Sequence, residues 1–137
     1  MFKKLRVVSV VALVAFALTV SVGGLIAADD KVPTVSEIMK VGHKGTESLL
    51  SKIKGSVKGA KWDDAKTSAD ALKVFGEALG KNKPEKGDAE SWKKLTDAYK
   101  ANTVAVAAGV EKKDAKATTA ALGKIGSSCG GCHKAHK

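Results

Sequence analysis

The chain has 137 residues, of which 24 are lysine or arginine and 14 are acidic, so its formal net charge is +10. This length suits one domain rather than two, and a content of 4% aromatics and two prolines excludes a sheet-rich class and favours helices. The basic residues are spread along the chain without interleaved aromatic side chains, so the charge does not predict a nucleic-acid partner.

The first 28 residues have the three parts of a secretory signal peptide. A basic start, MFKKLR, precedes an uncharged apolar run at residues 7–22, and small residues lead to the first acids. We expect cleavage after Ala28, with Ala27 as the neighbouring option, and a periplasmic domain over residues 29–137. The leader carries three basic residues and no acids, so the remaining charge is +7. An uncleaved membrane anchor is the alternative, because the uncharged run is long enough to span a bilayer.

Apolar residues recur at helical spacing in four segments after the leader. Thr34 and Glu37 form a capping box before the first segment, and Asp88 and Asp114 are predicted N-caps of the last two. Short links between helices of this length predict an all-α fold, an antiparallel up-down-up-down four-helix bundle. The predicted helices cover approximately residues 35–57, 62–79, 89–110 and 115–137.

The segment SSCGGCHKAHK at residues 127–137 contains both cysteines of the chain, Cys129 and Cys132. Two thiols one helical turn apart can form thioethers with the two vinyl groups of haem, and the adjacent His133 can bind the iron from the proximal side. The spacing therefore predicts one covalently attached haem c, so the expected fold is a four-helix bundle with covalently bound haem.

Three other interpretations of this motif stay open. A thioredoxin-like dithiol needs a strand before the motif, whereas the upstream pattern is helical. A structural zinc site needs four ligands, for which Cys129, Cys132, His133 and His136 are available, although adjacent cysteine and histidine rarely bind one zinc together. A disulfide between the two cysteines of a helical segment would be strained.

A signal peptide, four helices and this motif in the last helix together resemble the class II c-type cytochromes, the cytochrome c-prime family and its low-spin relatives. Class I cytochromes instead place the motif near the N-terminus. The resemblance covers the whole domain in architecture. In specific residues it rests mainly on Cys129, Cys132 and His133, and it implies that the first two hold the haem and that His133 is the proximal iron ligand.

The resemblance also bears on the distal side of the iron. Low-spin members are similar in taking a methionine from the first helix, whereas high-spin members leave an apolar, five-coordinate site. Met39 is the only methionine outside the leader and is therefore the candidate distal ligand, with plain core packing as the alternative. His43 is a second candidate ligand. His136, where family members often carry an aromatic, either covers the proximal haem edge or is exposed.

The resemblance implies an electron carrier whose haem has His/Met axial ligation. The alternative is a five-coordinate haem protein that binds nitric oxide or carbon monoxide. The sequence has no recognisable paired-carboxylate site, nucleophile elbow or phosphate loop, so we expect no enzymatic activity. Expected partners are acidic redox proteins, steered by lysines such as Lys134 and Lys137. A membrane partner is expected only with an uncleaved leader, and a homodimer stays open because family members often dimerise.

Overall fold

The computed structural model describes residues 31–137, which are helical apart from the links between elements. The second predicted helix has its predicted bounds, the third ends one residue later than predicted, and the fourth continues through both glycines of the cysteine motif. These three predictions are confirmed. The elements are α1 (Val35–Ile38), a π-helical segment (Met39–His43), α2 (Leu49–Lys58), α3 (Trp62–Leu79), α4 (Ala89–Glu111) and α5 (Ala115–His136).

The single helix predicted over residues 35–57 is wrong, because the chain leaves helical geometry after His43. The helix first widens to π-helical hydrogen bonding, and Lys44 is then extended, with φ −93° and ψ 120°. Gly45 has a φ of +80°, a conformation that glycine adopts without steric cost. The buried Ser48 accepts a hydrogen bond from the backbone of Ser51 and starts α2 as a separate helix. The predicted first helix is therefore two helices joined by a turn.

The three predicted N-caps are confirmed. Thr34 and Glu37 make both hydrogen bonds of the capping box, from the Glu37 backbone to the Thr34 hydroxyl and from the Thr34 backbone to the Glu37 carboxylate. The carboxylates of Asp88 and Asp114 each accept a hydrogen bond from the backbone N–H three residues later. Each cap of this kind contributes about 1 kcal/mol, so the starts of α1, α4 and α5 are fixed locally.

The helices pack as a closed ring in which α3 lies against α2 and α4, and α5 lies against α4 and α2. Short links at residues 59–61 and 112–114 reverse the chain, so the helices that they join are antiparallel. The predicted all-α helical bundle is therefore confirmed for residues 31–137, with its N-terminal member split at residues 44–48.

Two glycines allow α4 to approach both of its neighbours closely. A Cβ atom on Gly76 of α3 would clash with Oγ1 of Thr103, and a Cβ on Gly109 of α4 would lie 2.6 Å from Oγ1 of Thr118. Both threonines are fully buried. The Thr103 hydroxyl donates to the backbone carbonyl three residues earlier at 2.8 Å, and the Thr118 hydroxyl donates to the one four residues earlier at 2.7 Å. Neither side chain can turn away without leaving a buried hydroxyl unpaired. Backbone approach thus replaces the large side chains that this core lacks.

The predicted signal peptide and its alternative, a membrane anchor, lie outside the described residues. Within residues 31–137, the structure contains no helix with both the length and the apolar character of a membrane span.

The contact between Gly76 and Thr103 predicts that a methyl group added at Gly76 lowers the stability of the fold. We expect Gly76→Ala to lower the free energy of unfolding by about 1–3 kcal/mol, because overpacking displaces a buried threonine. Gly55→Ala on α2 is the matched control, since a Cβ there meets no atom within 4 Å and alanine favours the helix by up to about 1 kcal/mol. Urea unfolding followed by circular dichroism measures both. Equal stability of the two variants would contradict the packing account.

Candidate functional site

A cleft between the π-helical segment and the helices α3, α4 and α5 brings the predicted site residues together. The empty space between these walls is about 420 Å³ when the open mouth is included. Met39, Cys129, Cys132 and His133 all line it, so residues separated by ninety positions in the sequence share one cleft. The further lining residues are His43, Leu79, Leu95, Tyr99, Ile125 and Ser128.

The cysteine motif lies inside α5, and both thiols are free and partly exposed. The Cys129 thiol donates to the Ile125 carbonyl at 3.4 Å. Burial, and secondarily the nearby Cys129, raise the pKa of the Cys132 thiol. Cβ atoms on Gly130 and Gly131 would meet no atom within 4 Å, so these positions leave open space beside the thiols. Two accessible thiols one turn apart beside open space suit attachment to a flat group.

The structure gives no support to the other interpretations of the motif. No strand precedes Cys129 within residues 31–137, as a thioredoxin-like dithiol would require. The described part of the chain contains no cluster of three or more histidine, cysteine or acidic side chains that could hold a metal ion, so the zinc interpretation finds no ligand set. The two cysteines are not joined to each other.

His136 is buried, so the interpretation of this residue as an exposed side chain is wrong. Its Nδ1 lies 2.9 Å from the carbonyl of Lys86, its Nε2 lies 3.0 Å from the hydroxyl of Ser91, and its ring packs edge-on against Trp92 at 5.3 Å between centroids. These contacts fasten the last turn of α5 to the loop before α4 and to the start of α4. His133, three residues earlier, is exposed at the edge of the cleft.

The π-helical segment supplies two candidate distal ligands. Met39 and His43 stand at its two ends, both line the cleft, and both are partly buried. The segment is held against α3 by Gly42, whose missing Cβ would lie 3.3 Å from the Phe75 ring. Single π-helical turns occur frequently at functional sites because they reorient side chains within a helix.

Tyr99 of α4 is a cleft residue whose role the sequence analysis did not identify. Its hydroxyl lies 2.8 Å from Nε2 of His43, and the two rings are 5.5 Å apart between centroids. Burial, and secondarily the nearby Cys129, raise the pKa of the Tyr99 hydroxyl, so it stays protonated. Burial, followed by the positive charge of His133, lowers the pKa of His43 and favours its neutral form. The pair therefore forms an uncharged polar wall of the cleft.

The residues present fit a c-type haem. Two thiols, two histidines and a thioether surround a cleft with otherwise largely apolar walls, and Nδ1 of His43 is buried without a hydrogen-bond partner. The fit rests on this donor set of thiols, imidazoles and thioether, which is the set that c-type haem uses.

The model of the Cytochrome C' family matches residues 86–137 of the chain. The matched region comprises the end of the loop after α3, together with α4 and α5, and so includes Tyr99 and the whole cysteine motif. A comparison with curated proteins and a comparison with solved structures each gave no match.

The contacts of His136 predict that it stabilises the end of α5. We expect His136→Ala to lower the free energy of unfolding by about 1–3 kcal/mol, because it removes packing on Trp92 and leaves the Lys86 carbonyl without this partner. Lys124→Ala, at an exposed position of the same helix, is the control and should change stability by less than about 0.5 kcal/mol. Urea unfolding measures both, and an unchanged midpoint for His136→Ala would contradict the anchoring role.

Proposed function

We propose that this chain, a class II cytochrome c-prime-like protein, carries single electrons through one haem c that Cys129 and Cys132 attach and that His133 binds from the proximal side. The observation that carries the proposal is the cleft, which gathers these three residues with two candidate distal ligands. When bound, haem supplies an iron that exchanges one electron between its ferric and ferrous states. The covalent link and the number of haems are part of the proposal.

The distal ligand in this proposal comes from the π-helical segment. Met39 is the candidate that resemblance to the low-spin members implies, and a thioether there would raise the reduction potential. His43 is the second candidate on the same segment. Either side chain would keep the iron six-coordinate in both oxidation states, so few atoms would have to move during electron transfer.

The other cleft residues exclude water and hold the ligands in place. Ile125 and Leu79 are buried and Leu95 is partly buried, so α3, α4 and α5 each contribute one apolar side chain to the cleft. The last turn of α5, which follows His133, is fixed by the His136 contacts. In a site that is already rigid, few atoms have to move when an electron is transferred.

The charges around the cleft support an acidic redox partner. Lys40 lies in the π-helical segment, Lys44 directly follows it, and Lys134 follows His133. All three are exposed, and none forms an ion pair with a described residue. Uncompensated positive charge beside an electron-transfer site increases the rate of encounter with acidic partners. A periplasmic location matches the compartment in which bacterial c-type cytochromes are assembled and belongs to the same proposal. We propose no enzymatic activity.

The second candidate function is binding of nitric oxide or carbon monoxide to a five-coordinate haem. The hydrogen bond between His43 and Tyr99 favours it, because a His43 ring that stays on Tyr99 leaves the iron without that ligand. Met39 packs against the core, and a thioether that stays there also leaves the iron without a distal ligand. In this function the two polar side chains would line an open distal site.

Absorption spectra of the exported protein distinguish the two functions. An electron carrier should give a low-spin spectrum in both oxidation states that carbon monoxide does not change. A high-spin spectrum that shifts with carbon monoxide would contradict the carrier and favour gas binding.

Removal of the thiols tests the attachment site. We expect Cys129→Ala with Cys132→Ala to abolish covalent haem, measured as haem absorbance that remains with the denatured polypeptide after extraction with acidified organic solvent. Each single variant should keep one thioether at most. Ser127→Ala, exposed on the same helix, is the control and should attach haem as the unmodified chain does. Haem retained covalently by the double variant would contradict the assignment.

A further inference from the structure

The loop between α3 and α4, residues 80–88, is hydrogen-bonded to the start of the N-terminal arm. The side-chain amide of Asn82 donates to the carbonyl of Pro33 at 2.9 Å and to the carbonyl of Ala78 at 3.0 Å. One amide hydrogen is thus used on the residue before the Thr34 cap of α1, and the other on the last turn of α3. Asn82 therefore fastens the start of α1 to the end of α3.

Asn82 is also linked to the last turn of α5. Its backbone carbonyl accepts a hydrogen bond of 2.8 Å from the indole N–H of Trp92, and the indole packs edge-on against His136. Both of these rings are buried, and His136 is held by Lys86 and Ser91. The network therefore runs from the start of α1, through the loop, to the end of α5.

Gly87 allows the loop to lie directly against α5. Its φ of +87° is in the left-handed region that glycine adopts without steric cost. A Cβ atom there would lie 2.5 Å from Nδ1 of His136 and 2.6 Å from the carbonyl oxygen of Ala135. The imidazole cannot move aside without losing its contact with the Lys86 carbonyl. The loop and the end of α5 are therefore in close contact through their backbones.

The network joins the two elements that carry the proposed iron ligands. Pro33 lies six residues before Met39, about 9 Å along a helix, and the π-helical segment follows α1 without a break. His136 lies three residues, less than one helical turn, after His133. A metal ligand keeps its geometry only when the surrounding residues hold it in place. Asn82 and Trp92 supply such support to both elements at once.

We propose that Asn82 and Trp92 are positioning residues for the iron, because their network sets the separation between the π-helical segment and α5. This inference rests on the proposed haem attachment at α5 and on a six-coordinate iron. A looser network should leave the distal side of the iron open in more of the molecules. Carbon monoxide binds only those molecules, so its apparent affinity is proportional to their fraction while that fraction is small.

Two variants of the exported holoprotein test the network at its polar links. Trp92→Phe removes the indole donor and keeps an aromatic ring beside His136, whereas Asn82→Ala removes both amide donors. We expect each variant to keep covalent haem and to raise the apparent carbon monoxide affinity of the reduced protein about three- to tenfold, the range for one net hydrogen bond. The low-spin fraction of the oxidised protein should fall, and the reduction potential should shift.

Trp62→Phe is the matched control, because Trp62 packs against the core at the other end of α3. It should lower the urea midpoint and leave the spectrum, the reduction potential and the carbon monoxide affinity unchanged. Trp92→Phe and Asn82→Ala variants that behave in the same way would show a merely structural network and overturn the inference.

The failure of this inference differs from the failure of the proposed function. A low-spin unmodified protein whose Trp92→Phe and Asn82→Ala variants match the control would overturn the positioning role and keep the electron carrier. A five-coordinate iron in the unmodified protein would overturn both. Protein without covalent haem, from a host able to attach it, would overturn the proposed function itself.

Discussion

The hydrogen bond between the His43 ring and the Tyr99 hydroxyl joins the N-terminal arm of the bundle to α4 across the cleft. It is a contact between residues 56 positions apart, and the chain leaves helical geometry directly after His43. The extended Lys44 and the positive φ of Gly45 provide that change of direction. The interruption of the first helix therefore directly follows a residue of the cleft wall.

The opposite wall depends on the anchoring of α5. Helices that contain paired glycines are intrinsically weak, and α5 has Gly130 and Gly131 inside the cysteine motif. The buried His136 offsets this weakness through contacts with Lys86, Ser91 and Trp92. The indole of Trp92 in turn donates to the carbonyl of Asn82 at 2.8 Å. The loop between α3 and α4 thus supports the helix that presents the thiols, although the loop does not line the cleft.

The features that the sequence predicted well are local ones. The N-caps at Asp88 and Asp114, the bounds of α3 and the spacing of the cysteine motif each depend on residues within a few positions of one another. The interruption after His43 was not predicted, because the apolar stripe continues at Leu49 and Leu50 and gives no sign of the turn at Lys44 and Gly45. A capping box followed by an apolar stripe indicates where a helix starts and does not indicate that it will be broken.

The same distinction applies to the site. Met39, Cys129, Cys132 and His133 were identified from motif and composition, and the structure brings them into one cleft. Tyr99 lies among apolar residues at helical spacing in α4, where a tyrosine is ordinarily part of the core. Its hydroxyl acquires a role only through His43. His136 lies close to the motif in sequence, but its burial depends on the path of residues 80–88. Contacts between residues that are far apart in the sequence leave no periodic pattern from which they could be predicted.

The central claim is that α5 carries a covalent haem, and the mass of the exported protein tests it most directly. Protein from a host able to attach haem c should gain the mass of one haem. Proteolysis should place the whole gain on the peptide that contains Cys129 and Cys132. A chain with the mass of the unmodified polypeptide, or a haem that separates from it on denaturation, would contradict the account.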